Sequence, residues 1–280
     1  MRATSTLTIG LALIGALLIG GPALAQPASM GDAIDPVDTG TGPGMRFTLG
    51  AGLGVAPDYE GSDYYQAVPL WNLNVSNLYH PKTYVQLFGP LLRSNFIPDD
   101  HWRLGVAGQF IKKRDDVHND RVDDLESVDA SVMLGLVGGY DFLADPRRDL
   151  ALEVEARQDV ANDNGFLATI RGAYRASLTP SWYMVAFVSS TWADDDYMSS
   201  YFGIDAADAA ASGLDQFDAD EGFKDVNFGG ALSYRFLERW RVAVLGTYAR
   251  LLNDAEDSPI VDDVGDANQF FGGALINYQF

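Results

Sequence analysis

Charged side chains are spaced by even numbers of residues in two neighbouring stretches of the sequence. Leu150–Val160 has them at every second position from Glu153 onward, and Phe166–Leu178 has Arg171 and Arg175, four residues apart. Alternate side chains of a β-strand point to the same face, so this spacing collects the charges on one face of each stretch. Carboxylates and guanidinium groups placed in this way can form ion pairs across adjacent strands. The side chains predicted to line such an interior, including one from a later stretch, are Glu153, Glu155, Arg157, Arg171, Arg175 and Arg235.

The positions between these charges are apolar. They include Leu150, Leu152 and Val154 in the first stretch and Ile170 and Tyr174 in the second. An arginine or lysine on the lipid-facing side of a membrane strand costs about 2–4 kcal/mol at the middle of the bilayer. We therefore predict that the charges face the interior of a membrane barrel and that the apolar positions face lipid. A water-soluble antiparallel sheet with one wet face is the alternative.

Other residue types that commonly do chemistry lack a supporting pattern. The histidines, His80, His101 and His118, have neither metal-ligand spacing nor a His-x-Ser arrangement. The chain has no cysteine, which excludes disulfides and thiol chemistry. No helical pattern follows the glycine-rich run Gly50–Gly54, so we interpret it as closely packed wall rather than a phosphate-binding loop. We expect a protein that is not an enzyme and that uses no metal or cofactor, with an outer-membrane lipase or protease as the minor alternative.

Acidic residues concentrate in the stretches Ala193–Lys224 and Asn253–Asn268, and the whole chain has a formal net charge of −20. This charge argues against a nucleic acid partner, because the phosphates would be repelled. The carboxylates lack the spacing of an EF-hand, so we predict solvated loops rather than a Ca²⁺ site. The weaker functional interpretation is a rim that attracts cations near the lipopolysaccharide layer.

Twelve strand-like runs follow one another, and several have about the nine to eleven residues that a tilted membrane strand needs. They are Met45–Val55, Gln66–Ser76, Thr83–Phe88, Leu91–Ile97, His101–Ile111, Ala130–Phe142, Leu150–Val160, Phe166–Leu178, Trp182–Trp192, Asp225–Leu237, Trp240–Leu252 and Gln269–Phe280. The third and fourth runs are weak, and without them the count is ten. The sequence thus predicts an all-β protein, an antiparallel transmembrane β-barrel of about twelve strands.

Short and long connections alternate between these runs. Leu143–Asp149 and Leu237–Arg239 are short, whereas Lys112–Asp129 and Ala193–Lys224 are long. In outer-membrane barrels the short turns lie in the periplasm and the long loops lie outside, so both termini are expected to be periplasmic. Aromatic residues near the short turns are expected to form a girdle at the membrane interface: Trp102, Tyr140, Trp182, Tyr234, Phe236, Trp240 and Tyr278.

The first residues have the features of an export signal. Arg2 precedes an apolar run that ends before the small residues Ala23–Ala25. We predict a cleaved signal peptide at 1–25, a flexible periplasmic lead-in at 26–44 and an outer-membrane barrel at 45–280.

The last strand-like run ends in an aromatic residue. Ile276, Tyr278 and Phe280 alternate on one face, which is the pattern expected of a lipid-facing terminal strand. We predict that these three residues act as the signal for the barrel-assembly machinery. Outer-membrane lipid and lipopolysaccharide are then the expected surroundings of the protein.

Three separated motifs resemble those of one known family. They are Val55–Asp63, then Tyr201–Ile204 with Ala209–Leu214, then Leu251–Val261 followed by Gly265 and Asn268–Gln269. In this order, and with the barrel ending, they resemble the MltA-interacting protein (MipA)/OmpV-like outer-membrane protein family. The resemblance extends from about residue 50 to residue 280, and the stretch Lys112–Asp129 matches nothing in it.

The resemblance implies an outer-membrane barrel that acts as a scaffold between a lytic murein transglycosylase and a murein synthase. It supplies no catalytic residues. A periplasmic partner would meet the lead-in and the short turns, where Arg147 and Arg148 are the candidate contacts. The alternatives are a small pore that sets permeability, because twelve strands lie between filled barrels and wide channels, and a surface protein of adhesion or antibiotic response.

Overall fold

The computed structural model describes residues 44–143, 145 and 147–280. The predicted signal peptide and all but the last residue of the predicted lead-in lie outside the described residues. Twelve strands form the sheet: β1 Arg46–Pro57, β2 Tyr65–Ser76, β3 Tyr84–Phe88, β4 Leu91–Asn95, β5 Trp102–Ile111, β6 Ser131–Asp141, β7 Arg148–Asp159, β8 Phe166–Ser177, β9 Trp182–Ala193, β10 Gly222–Leu237, β11 Trp240–Leu251 and β12 Asn268–Gln279.

Each strand pairs antiparallel with the next, and β12 pairs with β1, so the sheet is a closed barrel. The prediction of an antiparallel barrel of twelve strands is therefore confirmed, and the count of ten is wrong. Within the described residues, no helix is long and apolar enough to span a membrane. The β1–β12 closure is tight at Gly52, where an added Cβ would overlap the carbonyl oxygen of Ala274. Close packing of the two strands therefore explains why residue 52, within the Gly50–Gly54 run, is a glycine.

The two faces of the wall differ in character, as alternation requires. On β7 the side chains of Leu150, Leu152 and Val154 are exposed, whereas those of Glu153 and Glu155 are buried. On β12 the side chains of Phe270 and Ile276 are also exposed. A strand face that exposes apolar side chains all around a closed sheet is suited to lipid.

The connections separate the barrel into two ends. We call the end that holds the first residue of β1 and the last residue of β12 the short-turn end, and the opposite end the long-loop end. The long-loop end carries five short helices: α1 Asp120–Asp123, α2 Asp195–Phe202, α3 Ala206–Ser212, α4 Asp254–Asp257 and α5 Pro259–Asp262. Side-chain caps begin several of them, as when Asp194 accepts from the backbone N–H of Tyr197. The long acidic stretches are thus partly helical rather than wholly irregular.

All but one of the strand boundaries lie within two residues of the predicted ones, and the start of β10 departs further. β10 begins at Gly222 rather than Asp225, because a bulge at Lys224 shifts the register and lets pairing with β9 continue. β4 ends at Asn95 rather than Ile97.

The wall is lower at the β3–β4 hairpin than elsewhere. These two strands have 5 residues each, whereas β2 has 12 and β5 has 10. The backbone N–H of Gly89 donates to the carbonyl of Trp71 at 2.9 Å, and β2 pairs with β3 only from Asn72 onward. Residues 65–70 of β2 therefore have no paired strand on this side in the described structure. Pro69, which directs its backbone to the same side as Trp71, fits this free edge because it has no N–H to pair.

Candidate functional site

Glu153 is the centre of a buried cluster of ion pairs inside the barrel. This carboxylate, on β7, is 2% exposed. Arg103 Nη1 lies 2.5 Å from its Oε1, and Arg93 Nη2 lies 3.1 Å from its Oε2. From the neighbouring strand β8, Arg171 donates to Oε2, and Arg175 Nη2 lies 3.1 Å from Oε1. One carboxylate therefore joins guanidinium groups from three strands.

Two further carboxylates extend the cluster toward the short-turn end. Arg103 Nη2 lies 2.9 Å from Asp141 Oδ1. Arg175 Nη1 lies 3.4 Å from Asp141 and 3.3 Å from Asp149. Lys82 is at the edge, with its Nζ 4.0 Å from Asp141.

Toward the long-loop end, Glu155 continues the same row. Its Oε1 lies 2.8 Å from Arg157 Nε, and its Oε2 lies 3.4 Å from Arg93 Nη2. Arg157 also donates to the side chain of Gln109 on β5. We call the whole set the lumen network: Lys82, Arg93, Arg103, Gln109, Asp141, Asp149, Glu153, Glu155, Arg157, Arg171 and Arg175. It follows β7 along its interior face and crosses to β4, β5, β6 and β8.

Strand register explains why these groups meet. Glu153 is directly opposite Arg171 on β8, and Asp149 is opposite Arg175. On its other side Glu153 is opposite Gly139 of β6, which has no side chain. An added Cβ at Gly139 would lie 3.0 Å from Glu153 Cγ and 3.4 Å from Arg103 Nη2. Glycine at this position leaves the space through which Arg103 reaches Glu153.

The rest of the interior is filled by apolar and amide side chains. Val185, Leu245, Phe271 and Leu275 belong to a buried apolar cluster, to which they are contributed by β9, β11 and β12. Nearby, Asn72 Nδ2 donates to Asn277 Oδ1 at 3.0 Å. The interior therefore combines a charged sector with an apolar sector.

A second buried ion-pair group holds a cap over the long-loop end. Lys224 Nζ donates to Glu60 of the β1–β2 loop and lies 2.7 Å from Asp225 Oδ2. The hydroxyl of Tyr197 on α2 donates to Glu60 Oε2 at 3.0 Å. The hydroxyl of Tyr201, also on α2, lies 3.1 Å from Ser131 Oγ. Burial raises the pKa of Tyr201 to about 12, so this phenol stays neutral well above physiological pH. Loops that are distant in sequence are thus locked together across the barrel mouth.

Each predicted site residue has a definite place in this arrangement. Glu153, Glu155, Arg157, Arg171 and Arg175 lie in the lumen network. Arg235 lies at the short-turn end, where its Nη2 donates to the carbonyl of Pro180 at 2.6 Å and does not join the network. Glu155 pairs with Arg157 and Arg93 rather than with the arginines of β8.

Arg147 and Arg148 are exposed in the β6–β7 turn at the short-turn end. The side chain of Arg148 is 67% exposed, and its Nε lies 3.8 Å from Asp145 Oδ2. At the end of the chain, the backbone N–H of Phe280 donates to the carbonyl of Phe47 at 2.9 Å. The rings of Tyr278 and Phe280 meet edge to face, with their centroids 4.8 Å apart.

Sequence reasoning missed six members of the network: Lys82, Arg93, Arg103, Gln109, Asp141 and Asp149. Arg93 lies in the short strand β4, whose five residues are too few for alternation to be read with confidence. Arg103 and Asp141 lie near the ends of β5 and β6. A charge within an otherwise apolar membrane strand was the signal available for each of them.

Ion pairing engages every carboxylate of the lumen network. Glu153 contacts four guanidinium groups, Glu155 contacts two, and Asp149 contacts one. In the described part of the chain, no group of three or more acidic or histidine side chains converges as metal ligands. Removing one partner from a buried ion pair destabilises a protein by about 3–5 kcal/mol, so these pairs hold the wall strands at fixed separations.

A closed antiparallel barrel with an apolar outer band and a polar, filled interior defines an outer-membrane β-barrel protein. Residues 49–280 match the family model described as MltA-interacting protein MipA. The chain therefore belongs to that family, as the resemblance in its motifs predicted.

Individual relatives are more distant. Outer membrane protein Omp26La of Vibrio anguillarum is 29% identical over 124 residues, which are 44% of this chain and 46% of the relative. The match thus spans less than half the length of that relative. The COG4313 outer membrane channel of Pseudomonas putida F1 is 12% identical, with a TM-score of 0.49 over 88% of this chain and 100% of that structure. The NanC porin is 7% identical, with a TM-score of 0.44 over 83% of this chain and 98% of that structure.

Proposed function

We propose that this protein is a non-enzymatic scaffold of the outer membrane that binds a lytic murein transglycosylase at its short-turn end. The observation that carries the proposal is the lumen network. Ion pairs from β4, β5, β7 and β8 occupy the charged sector of the interior, and apolar side chains occupy the other. A barrel filled in this way is suited to being an anchor, and its function then depends on its surfaces.

The family description supports the choice of partner. A protein named for interaction with MltA implies a murein enzyme, which works in the periplasm. Under this proposal the short-turn end and both termini face the periplasm, and the capped long-loop end faces outward, as is usual for outer-membrane barrels. A murein synthase is the second partner that the scaffold role requires.

The periplasmic surface offered by the barrel itself is small. A standard protein interface buries about 800 Å² on each partner, more than one short turn provides. The β6–β7 turn contributes the exposed cations Arg147 and Arg148. Under this proposal they act together with the lead-in at 26–44, and positively charged contacts steer a partner with an acidic surface.

A pull-down of the cognate lytic transglycosylase tests the proposal. We expect the detergent-purified barrel to retain the enzyme, and the double variant Arg147→Glu, Arg148→Glu to retain much less. The matched control is Lys113→Glu, an exposed cation at the long-loop end. All variants are first shown to be folded by their faster migration when unboiled on a denaturing gel. Retention unchanged in the double variant but lost in the control would contradict the placement, and no retention by the intact protein would overturn the scaffold role.

A narrow anion-selective pore is the second candidate. The lumen network has five arginines, Arg93, Arg103, Arg157, Arg171 and Arg175, against four carboxylates, and Arg93 Nε and Nη1 are buried without a hydrogen-bond partner. An excess of guanidinium groups attracts small anions. Single-channel conductance in a planar bilayer separates the candidates, because the scaffold predicts no steady current and the pore predicts a current that reverses toward the anion potential in a salt gradient.

A further inference from the structure

A polar cavity lies among the loops at the long-loop end, away from the lumen network. Its volume is about 540 Å³, and it is lined by residues of the β5–β6, β7–β8 and β9–β10 loops. Small-molecule sites typically have volumes of about 300–1,000 Å³. Apolar side chains, including Val128, Ile204 and Phe217, form part of its wall beside the polar ones. The cavity is therefore large enough for a molecule of the size of an amino acid or a dipeptide.

Arg114 lines this cavity as a buried cation without a counter-ion. The residue is 8% exposed. Its Nη1 donates to the carbonyl of Tyr201 at 2.8 Å, and its Nε has no hydrogen-bond partner. Among the described residues, no carboxylate lies within ion-pair distance of it, in contrast to the arginines of the lumen network. Burial lowers the pKa of the Arg114 guanidinium, and Tyr59, Tyr201 and Asp208 offset this effect only in part.

A buried guanidinium is an unusual choice for a structural position. Hydrogen bonds to a backbone carbonyl do not neutralise its charge, and a buried cation is costly unless it is paired. A carboxylate can pair with arginine through two parallel hydrogen bonds, which is the strongest arrangement open to it. The chemical group that Arg114 fits best is therefore the carboxylate of a ligand.

The rest of the lining has the opposite charge. Five carboxylates surround the cavity: Glu126, Asp129, Asp205, Asp208 and Asp218. None of these five is in a salt bridge with a cation in the described part of the chain. A simple anion would be repelled by them, whereas a ligand with ammonium groups in addition to its carboxylate would be attracted.

We infer that this cavity binds basic amino acids, free or at the C-terminus of a short peptide, with the ligand carboxylate on Arg114 and its ammonium groups facing the acidic lining. The apolar wall around Ile204 and Phe217 accommodates the aliphatic part of a lysine-type side chain. This function is separate from the proposed scaffold role, because it uses the opposite end of the barrel.

Titration calorimetry with two closely matched probes tests the inference. L-Lysine has a carboxylate and two ammonium groups, and cadaverine is the same molecule without the carboxylate. We expect lysine to bind the detergent-purified full-length barrel about tenfold or more tightly than cadaverine, because it gains the charged hydrogen bonds to Arg114. Glutarate, which has carboxylates and no ammonium group, is expected not to bind.

Substitutions assign the difference to one residue. Arg114→Gln is expected to remove the preference for lysine and to leave cadaverine binding unchanged. The matched control is Lys113→Gln, which removes the neighbouring exposed cation and is expected to change neither affinity. If Arg114→Gln does not fold by the gel-migration test, Arg114→Lys retains the charge but loses the planar pair of donors, and it is expected to weaken lysine binding alone.

Two results would overturn the inference. One is equal binding of lysine and cadaverine that Arg114→Gln or Arg114→Lys leaves unchanged, which would mean that the acidic lining attracts cations without a specific site. The other is the absence of lysine binding to the intact folded protein. Neither result bears on transglycosylase binding at the short-turn end.

Discussion

Glu153 shows how one residue can hold several strands together. Its two oxygens contact guanidinium groups from β4, β5 and β8 while the residue itself lies on β7. A carboxylate with this many partners has the largest effect on its surroundings when it is removed, because every partner is then left with less counter-charge. The charge spacing in the sequence identified Glu153 and Arg171 as interior residues, but it could not identify contacts between non-adjacent strands such as β4 and β7.

Glu153→Gln is expected to destabilise the barrel by about 3–5 kcal/mol, because it leaves buried guanidinium groups without their shared carboxylate. The measurement is the temperature at which the fast-migrating folded band converts to the unfolded band. Arg148→Gln is the matched control, since this side chain is 67% exposed and a surface substitution changes stability by about 0.5 kcal/mol or less. Equal midpoints for the two variants would mean that the interior charges are solvated.

Strands were predictable to the extent that they are long and alternate cleanly. β7 and most of β8 expose apolar residues and bury charged ones at the positions that alternation predicts, since lipid on one side and a packed interior on the other leave little freedom. The last two residues of β8 depart from this pattern, because Ala176 is buried and Ser177 is exposed. The five short helices were not predicted, because α1, α4 and α5 have four residues each and depend on packing and caps rather than on periodicity. The bulge at Lys224 has no sequence signal of its own.

Candidate sites were predictable only where the chemistry belongs to a regular strand. Arg114 and the acidic residues around its cavity lie in loops, and their meeting depends on how three loops fold over the barrel mouth. The composition of these loops predicted that they are acidic and solvated. It contained no sign that one cation, Arg114, is buried among them. Arg147 and Arg148, by contrast, are exposed in a turn, as the short connection between two strong strands suggested.

The closing strand is expected to depend on its last residue. Deleting Phe280 removes the backbone bond to Phe47 and the ring contact with Tyr278, and it takes away part of the predicted assembly signal. We expect less protein in the outer-membrane fraction and more in periplasmic aggregates or degradation products. The matched control is Gln279→Asn, which keeps both the chain length and the terminal aromatic residue. Normal outer-membrane levels after the deletion would show that Phe280 is dispensable for assembly.

At the scale of the whole molecule, the barrel is secured at several places by different means. The lumen network joins β4, β5, β6, β7 and β8, and the apolar cluster fills the space near β9–β12. Glu60 and Lys224 hold the cap. The long-loop end is further joined across the low part of the wall, where His118 N–H donates to Asp58 Oδ2 at 2.9 Å. The result is a barrel whose two ends offer different chemistry, with exposed arginines at the short-turn end and an acidic, capped surface at the other.

The low wall at the β3–β4 hairpin gives this barrel an uneven resistance to deformation. The wall between β2 and β5 consists only of the short strands β3 and β4, so fewer backbone hydrogen bonds must break to open it here than between two full-length strands. Local opening occurs first where such bonds are fewest. We expect amides in Tyr84–Asn95 to exchange with deuterium faster than those in β10 and β11 when the protein is followed by mass spectrometry in detergent. Uniform exchange around the barrel would contradict this expectation. A fluctuation of the barrel would then open a window in its side, facing the hydrocarbon of one leaflet, while the β1–β12 closure stays intact.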